Sequence, residues 1–261
     1  MNRPETVLIT GASSGIGLEL AKCFAAEGSR LVLVARNQAA LETLAEELRQ
    51  KNKIKTIILP ADLSLPETPK QIFDKLAAQN ASVDVLVNNA GFGLHGRFTQ
   101  MPLQRQLEII QVNVNALAEL TGLFLLGMLQ RRAGGILNVS SVAGFVPGPN
   151  MAIYYATKAF VQSLSEALSE ELEGSGVSVT VLCPGPTETN FSAVARGHKV
   201  RKISRGKMTA QEVARIGHQA FRAKKVIYVP GFSNKALIAL TRLLPRSAVR
   251  RIIKKYNKVE E

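Results

Sequence analysis

The chain has 261 residues, of which 46% are hydrophobic and 20% are charged. A chain of this size can bury one large core, and we expect a single domain over residues 1–261. Cys23 and Cys183 are far apart and each lies in an apolar run, which favours buried free thiols and a reducing cytoplasm over a disulfide or a metal site. An apolar strand begins at Thr6, so we expect no secretion signal. The most apolar stretch, Leu117–Leu129, is interrupted by Glu119 and is too short to cross a bilayer, so we expect a buried or interface helix.

The formal net charge of +13 is concentrated at one end of the chain. Residues 1–195 contain 15 Lys and Arg against 17 Asp and Glu, whereas residues 196–261 contain 18 against three. The basic character therefore belongs to the C-terminal quarter, and it needs an explanation separate from that of the remaining chain.

Strand-like and helix-like segments alternate along the chain. Apolar runs of strand length occur at Thr6–Thr10, Leu31–Ala35, Thr56–Pro60, Val83–Asn88, Ile136–Ser140, Val177–Cys183 and Val226–Val229. Several of these runs are apolar at every position, which is typical of parallel strands covered by helices on both faces. The intervening segments place apolar residues at helical spacing. This pattern predicts an α/β fold with a doubly wound parallel sheet.

A glycine-rich turn joins the first predicted strand to a helix that begins near Ile16. Its glycines are Gly11, Gly15 and Gly17, with Ser13 and Ser14 between them. Glycine allows a tight turn and lets the backbone approach a pyrophosphate, which then lies against the N–H groups at the start of the helix. The turn therefore predicts a dinucleotide site, although three glycines are also compatible with an ordinary strand-to-helix turn.

The residues after the second predicted strand bear on which dinucleotide binds. Dinucleotide folds that prefer NAD place an acidic residue there to bind the ribose hydroxyls, whereas this chain has Arg36. A guanidinium group binds a 2′-phosphate well, so the sequence favours NADP(H), with a solvated loop cation as the alternative. Ser14 adds nothing to this preference because it carries no charge.

Two further segments follow predicted strands at the same edge of the sheet. They are Asp62-Leu63 after the third strand, and Asn89-Ala90-Gly91 after the fourth. Ligands of open parallel sheets bind at this edge, so we expect both segments to contact the cofactor. Each is also compatible with a helix cap or a turn.

A Ser, Tyr and Lys set follows the fifth predicted strand. Ser141 lies at its end, Tyr154 follows thirteen residues later, and Lys158 lies one helical turn beyond Tyr154. Because residues at positions i and i+4 share a helix face, the Lys158 ammonium is expected to lower the pKa of the Tyr154 phenol. Tyr155 has no such partner.

These motifs resemble those of the short-chain dehydrogenase/reductase family, over about residues 6–191. The resemblance implies a single Rossmann-type domain with a mainly parallel seven-stranded sheet. It also implies a catalytic set of Asn113, Ser141, Tyr154 and Lys158, with Asn115 not part of it. In that family the tyrosine exchanges the proton with the substrate oxygen, the serine polarises that oxygen, and the lysine tunes the tyrosine and binds the nicotinamide ribose. The asparagine holds a water molecule.

The resemblance extends to a loop after the sixth strand and weakens beyond it. Pro184, Gly185, Thr187 and Thr189 resemble the loop that holds the nicotinamide carboxamide, and Thr189 is the expected contact. We expect a cofactor and catalytic core over residues 1–190, a substrate lid region over 191–225, and a last strand with basic helices over 226–261. The lid contains a run of cations: Arg196, His198, Lys199, Arg201, Lys202, Arg205 and Lys207. This run either steers an anionic substrate or is simply solvated.

The end of the chain predicts a pair of basic amphipathic helices. Apolar residues such as Leu237, Ile238, Ile252 and Ile253 alternate with Lys and Arg. The helices either pack on the protein with their cations in water, or lie on an anionic membrane as a peripheral contact. We expect no nucleic-acid binding, because no reader motif accompanies the charge. The tail faintly resembles those of short-chain reductases for steroids, retinoids or fatty-acyl chains.

Taken together, the sequence predicts an NADP(H)-dependent oxidoreductase for a small-molecule carbonyl/alcohol pair, with an apolar or lipid-like substrate. Two alternatives are a catalytically silent NADP-sensing protein on the same fold and an adaptor that acts through its basic tail. The resemblance also implies a homodimer or homotetramer, formed by the apolar helix at Leu117–Leu129 and the helix after Tyr154.

Overall fold

A computed structural model describes residues 3–189, 191, 195 and 208–258 of the chain. The strands are β1 (Thr6–Thr10), β2 (Arg30–Ala35), β3 (Thr56–Pro60), β4 (Val85–Asn88), β5 (Gly134–Val139), β6 (Val177–Leu182), β7 (Thr187–Glu188), β8 (Met208–Thr209) and β9 (Ile227–Tyr228). The helices are α1 (Gly15–Ala26), α2 (Gln38–Asn52), α3 (Thr68–Ala78), α4 (Leu103–Ile110), α5 (Ala116–Arg131), α6 (Ala152–Glu171), α7 (Ala210–Arg222), α8 (Phe232–Leu243) and α9 (Arg246–Tyr256).

Seven of these strands form one parallel sheet in the order β3-β2-β1-β4-β5-β6-β9, while β7 and β8 pair separately. This order confirms the predicted doubly wound, Rossmann-type sheet. The strand order reverses between β1 and β4, which is where such sheets bind their ligands. Strands β1 and β3 have the predicted limits, and the other five strands of this sheet differ from the predicted ones by one or two residues, as strand limits commonly do.

The two faces of the sheet carry separate parts of the core. Along β1, the side chains of Val7 and Ile9 pack against α1, α2 and α7, whereas Leu8 faces α3 and α5. This alternation follows from the two-residue period of a strand, and it explains why the runs are apolar at every position. The expectation for the cysteines is confirmed in part: both thiols are free, Cys183 is buried, and Cys23 on α1 is only half-buried.

The apolar helix that the sequence singled out is longer than expected. It is continuous from Leu103 to Arg131 and is, in length and composition, the one helix of the described residues that is able to span a membrane. Core helices of soluble proteins also meet this criterion. Here Leu120, Phe124 and Met128 pack into the core beneath the sheet, whereas Leu126 on the same helix is exposed.

Candidate active site

A cavity of about 1060 Å³ opens at the carboxyl edge of the sheet. It is lined by the predicted residues Gly11, Ser13, Ser14, Gly15, Ile16, Arg36, Asp62, Leu63, Asn89, Ala90, Gly91, Ser141, Tyr154, Lys158, Pro184, Gly185, Thr187 and Thr189. Gly17 and Asn113 do not line it and lie directly behind its wall. The structure therefore brings the separate sequence motifs into one place.

The glycine turn is fixed to the end of β4 by Thr10 and Asn89. The Thr10 hydroxyl accepts hydrogen bonds from the backbone N–H groups of Asn89 and Ala90, both at 3.0 Å, and donates to the Val87 carbonyl at 3.2 Å. The Asn89 side-chain amide donates to the carbonyl groups of Thr10 and Gly11, at 2.9 and 3.2 Å. Thr10 was not predicted as a site residue. A hydroxyl in the last position of a strand before a glycine turn is the signal that was available.

The glycine positions of this turn cannot carry side chains. Gly11 has a φ of +66°, and a Cβ atom there would lie 2.8 Å from the Asn89 amide nitrogen. At Gly17, within α1, a Cβ atom would collide with the Gly11 carbonyl oxygen and with the Asn89 amide nitrogen. The bare backbone at the start of α1 thus suits a pyrophosphate, which needs close approach to N–H groups. The residues present fit a dinucleotide.

Arg36 and Asp62 lie where the adenosine end of a dinucleotide is expected. Arg36 follows β2, is exposed and lines the cavity. Its neighbour Asn37 caps α2 by accepting a hydrogen bond from the Ala40 N–H at 3.0 Å. The Asp62 carboxylate accepts from the Ser64 N–H at 3.0 Å, so it shapes the turn after β3 in addition to lining the cavity.

Tyr154 and Ser141 face the middle of the cavity. Ser141 follows β5, and its hydroxyl hydrogen-bonds to the Tyr154 phenol and lies 3.3 Å from the Pro184 carbonyl. The Ser141 oxygen also accepts from the Ala143 N–H at 3.1 Å, which fixes its position. The Phe191 ring packs against the Tyr154 ring, with centroids 5.1 Å apart.

Lys158 lies beneath Tyr154 on α6. Its ammonium donates to the Val139 carbonyl at 2.8 Å and lies 5.9 Å from the centroid of the Tyr154 ring. Burial lowers the pKa of Lys158 to about 8, against an ordinary value of 10.5. The neighbouring Ser140 hydroxyl, which was not predicted, donates to the Lys158 carbonyl at 2.8 Å and ties α6 to β5.

The expected direction of the Tyr154 pKa is wrong for this arrangement. Burial raises the pKa of the phenol to about 12, and the Ser141 hydrogen bond offsets only part of that increase. The physical reason is that removing the phenolate from water costs more free energy than the hydrogen bond from Ser141 offsets. Lys158 is one helical turn away as predicted, but its ammonium binds Val139. Tyr154 therefore holds its proton at neutral pH.

Asn113 occupies a π-helical turn, Gln111–Asn115, between α4 and α5. Its buried amide donates to the Phe92 carbonyl and the Thr157 hydroxyl, both at 3.0 Å, and accepts from the Phe92 N–H at 3.1 Å. Thr157, not predicted as a site residue, donates in turn to the Tyr154 carbonyl at 2.7 Å. Asn115, which the resemblance left out, is exposed and hydrogen-bonds only within its own helix.

The loop after β6, predicted to hold the nicotinamide carboxamide, lines the cavity. The Thr187 hydroxyl donates to the Gly185 carbonyl at 2.9 Å, which closes a tight turn. The methyl group of Thr189 lies against Gly15, where a Cβ atom would be 3.2 Å away. The glycine turn and this loop thus meet across the cavity.

The far end of the cavity is formed by the two C-terminal helices, which were not predicted to line the site. The side chains that they contribute are Ser233, Asn234, Leu237, Ile238, Thr241, Ile252, Ile253, Tyr256 and Asn257. Val249 and Ile253 of α9 pack on Ala143 and Tyr155, so the inner face of the pair lies on the protein as one of the two readings expected. Residues 192–194 and 196–207 of the predicted lid region, with all seven of its cations, lie outside the described residues.

Asn257, just beyond α9, holds this wall in place. Its side-chain amide donates to the Pro149 carbonyl and to the Tyr155 hydroxyl, both at 3.1 Å. Its own carbonyl accepts from the Asn150 amide at 2.8 Å and lies 3.2 Å from Nε2 of His95. We call these contacts the Asn257 latch. Tyr155, adjacent to the predicted catalytic tyrosine, thus has a role in anchoring the C-terminal helices.

Comparisons with known proteins agree with this geometry. The family model described as short chain dehydrogenase matches residues 5–199. The very-long-chain 3-oxoacyl-CoA reductase of Laccaria bicolor is 37% identical over 201 residues, which are 76% of this chain and 57% of that protein. The chain therefore spans less than two thirds of this relative's length.

Two solved structures show the same fold with a nicotinamide nucleotide bound. A short-chain dehydrogenase from Sphingobium yanoikuyae in complex with NADPH is 33% identical, with a TM-score of 0.81, and the match covers 93% of this chain and 97% of that one. A short-chain dehydrogenase/reductase from Burkholderia phymatum in complex with NAD is 26% identical, with a TM-score of 0.82, covering 92% and 93%. The chain belongs to the short-chain dehydrogenase family.

Proposed function

We propose that the protein reduces an apolar, lipid-like ketone with NADPH. The observation that carries this proposal is a single cavity with a glycine turn and Arg36 at one end and apolar side chains of α8 and α9 at the other. Tyr154 and Ser141 lie between the two ends. A bound nicotinamide supplies the hydride for such a reduction.

Arg36 supports NADPH over NADH. It is exposed at the cavity wall directly after β2, where its guanidinium is free to approach a 2′-phosphate. An acidic residue in this position would repel that phosphate. The relatives alone leave the choice open, because one neighbour is in complex with NADPH and another with NAD.

The side chains around the carbonyl position have distinct tasks in this proposal. Tyr154, which is protonated at neutral pH, donates its proton to the substrate oxygen, and Ser141 orients that oxygen by a hydrogen bond. Lys158, which donates to the Val139 carbonyl beneath Tyr154, binds the nicotinamide ribose. Asn113 joins its π-helical turn to α6 through Thr157, and we assign it the water position that the family resemblance implies.

The substrate end of the cavity favours an apolar ligand. Its lining includes Phe145, Val146, Met151, Phe191 and the inner faces of α8 and α9. Apolar walls with a few fixed polar groups are typical of sites for lipid-like molecules. The likeness to a very-long-chain 3-oxoacyl-CoA reductase points the same way.

We include a homo-oligomer and a cytoplasmic location in the proposal. Leu126 and Phe160 are exposed on α5 and α6, the helices that the family resemblance assigns to assembly, and Leu103 and Leu107 are exposed on the adjoining α4. Exposed apolar side chains grouped on neighbouring helices mark contact surfaces in soluble proteins.

The proposal is tested by NADPH oxidation with steroid, retinoid and 3-oxoacyl thioester ketones, and with NADH in parallel. Turnover of one class with NADPH is expected, with a loss of at least about 100-fold in kcat for Tyr154→Phe, since a positioned proton donor contributes that much. Tyr228→Phe is the matched control, because it removes a phenol hydroxyl outside the cavity. Tight NADPH binding without turnover of any class would favour the sensor alternative, and failure to bind either nucleotide would refute the cofactor assignment.

A further inference from the structure

Helix α8 has an apolar face that points away from the protein. Phe232 and Leu243 are 87% and 83% exposed, and Leu240 is 53% exposed. With Ala236 and Ala239, which are also exposed, these residues follow helical spacing and form one stripe. We call this stripe the outer face of α8.

The opposite side of α8 is the one that packs. Ile238 is buried, and Asn234 and Thr241 are half-buried and line the cavity. The exposure of the outer face is therefore not a consequence of a loosely packed helix. Half of the large apolar side chains that are exposed among the described residues lie within Gly231–Lys258, in a small part of the chain. Contiguous exposed apolar surface of this kind marks an interaction site.

The same segment is strongly and uniformly basic. Gly231–Lys258 contains eight Lys and Arg residues and no Asp or Glu, and all eight are exposed. Lys235 and Arg242 flank the outer face of α8, and the remaining cations lie on α9 or beside it. A partner that matches this surface has an anionic exterior and an apolar interior. A bilayer of acidic lipids has both.

Other partners fit these observations less well. A second copy related by twofold symmetry would place like charges against each other, since the segment has no anion to pair with them. Nucleic acid would satisfy the cations but would leave Phe232 and Leu243 in water. We propose that the outer face of α8, with the surrounding cations, docks on an anionic lipid bilayer.

The test is co-sedimentation of the full-length protein with phosphatidylcholine vesicles that contain or lack phosphatidylglycerol. Binding to the anionic vesicles alone is expected, and added salt weakens it because exposed charges are screened. The variant Leu240→Ser/Leu243→Ser should reduce partitioning at least about tenfold, because it removes two of the largest apolar groups from the outer face. Leu65→Ser, at a leucine before α3 that is 50% exposed, close to the 53% of Leu240, is the control and should bind normally.

A second pair of variants tests the charge. Arg242→Glu/Arg250→Glu should lower partitioning by about 20-fold or more, since each cation near an anionic surface contributes roughly a fivefold factor. Lys51→Glu/Lys75→Glu changes the net charge equally at exposed sites far along the chain and should have little effect. None of these side chains lines the cavity, so turnover of a soluble ketone should be unchanged. That activity separates failure of docking from failure of the proposed function.

Four outcomes would overturn the proposal. The first is the absence of vesicle binding, and the second is equal binding to both kinds of vesicle. The third is vesicle binding that the leucine variants do not change and that duplex DNA competes away. The fourth is a lower oligomeric mass for Leu240→Ser/Leu243→Ser with no loss of vesicle binding. The third would indicate a nucleic-acid surface, and the fourth an interface between copies of this chain.

Discussion

The hydrogen bonds of the Asn257 latch allow a quantitative prediction about the end of the cavity that α8 and α9 form. Asn257→Ala removes the side-chain hydrogen bonds to Pro149 and Tyr155, while the backbone contacts to Asn150 and His95 remain. Two hydrogen bonds at about 1 kcal/mol each, together with a Tyr155 hydroxyl left buried without a partner, weaken the closed position of α9 by about 3 kcal/mol. An opening equilibrium changed by this amount shifts by about a hundredfold.

The expected effects are local. Amides of α9 should exchange with deuterium about 100-fold faster in Asn257→Ala, and the KM for a bulky ketone should rise. The Kd for NADPH should stay constant, because the glycine turn and Arg36 lie at the other end of the cavity. Gln50→Ala, which removes an amide hydrogen bond to Glu46 on the exposed side of α2, is the matched control and should alter neither quantity.

A double-mutant cycle separates the latch from a general loss of stability. Tyr155→Phe removes the hydroxyl that Asn257 binds, so its effect and that of Asn257→Ala should not add, with a coupling of about 1 kcal/mol. Unchanged exchange in α9 together with an unchanged KM would refute the reasoning. Uniformly faster exchange over the whole sheet would assign Asn257 a purely structural role.

The remaining predictions concern the cofactor end and the buried lysine. Arg36→Glu should lower the ratio of kcat/KM for NADPH to kcat/KM for NADH by about tenfold or more, because a charged hydrogen bond is lost. Arg49→Glu on α2 is the control and should leave this ratio unchanged. An unchanged ratio for Arg36→Glu would show that Arg36 does not bind the phosphate. Gly17→Ala should weaken NADPH binding, measured by fluorescence titration, at least about tenfold. Gly122→Ala, where a Cβ atom meets nothing within 4 Å, is the control and should bind NADPH normally. Equal affinities would contradict a close approach of the pyrophosphate to the backbone at the start of α1. Because the pKa of Lys158 is about 8 in the fold and 10.5 ordinarily, the unfolded chain binds more protons between these values. The free energy of unfolding relative to Lys158→Met should therefore rise from pH 8 to 10.5 in urea titrations, and a flat difference would argue against a buried ammonium.

The sequence predicted best those features that depend on short distances along the chain. Gly11, Gly15 and Gly17 follow directly from a strand, and Tyr154 and Lys158 are one helical turn apart, so local geometry fixes their relation. The parallel sheet then brings such motifs to one edge, because every strand ends on the same side. Their common cavity follows from the fold class alone.

The pKa of Tyr154 could not be predicted in this way. Its direction depends on burial, which Phe191 and the surrounding elements set through tertiary packing. The sequence shows that a cation is four residues away, but not that the Lys158 ammonium binds the Val139 carbonyl. Spacing along the helix therefore predicted correctly that Lys158 is near Tyr154. It did not predict that desolvation outweighs the charge of Lys158 in setting the pKa of Tyr154.

The Asn257 latch was hidden for a different reason. Tyr155 and Asn257 are separated by 102 positions, and no spacing rule relates them. Amphipathic patterning identified the C-terminal helices and their cations, yet it could not tell which apolar residues face the cavity and which face outward. Ile238 and Leu240 are two positions apart, and one is buried while the other is exposed.

The two C-terminal helices connect the proposed docking surface with the proposed substrate site. Ile252 and Tyr256 line the cavity and are also 51% and 62% exposed, so they lie at its mouth on the same helix pair as the outer face of α8. A bilayer that holds this pair also restricts how far α9 can move from Tyr155. If docking changes the affinity for a ketone by some factor, the ketone must change the affinity for the bilayer by the same factor, because the two equilibria share one protein. Under these two proposals, α8 and α9 are thus the elements through which membrane contact and substrate admission would act on each other.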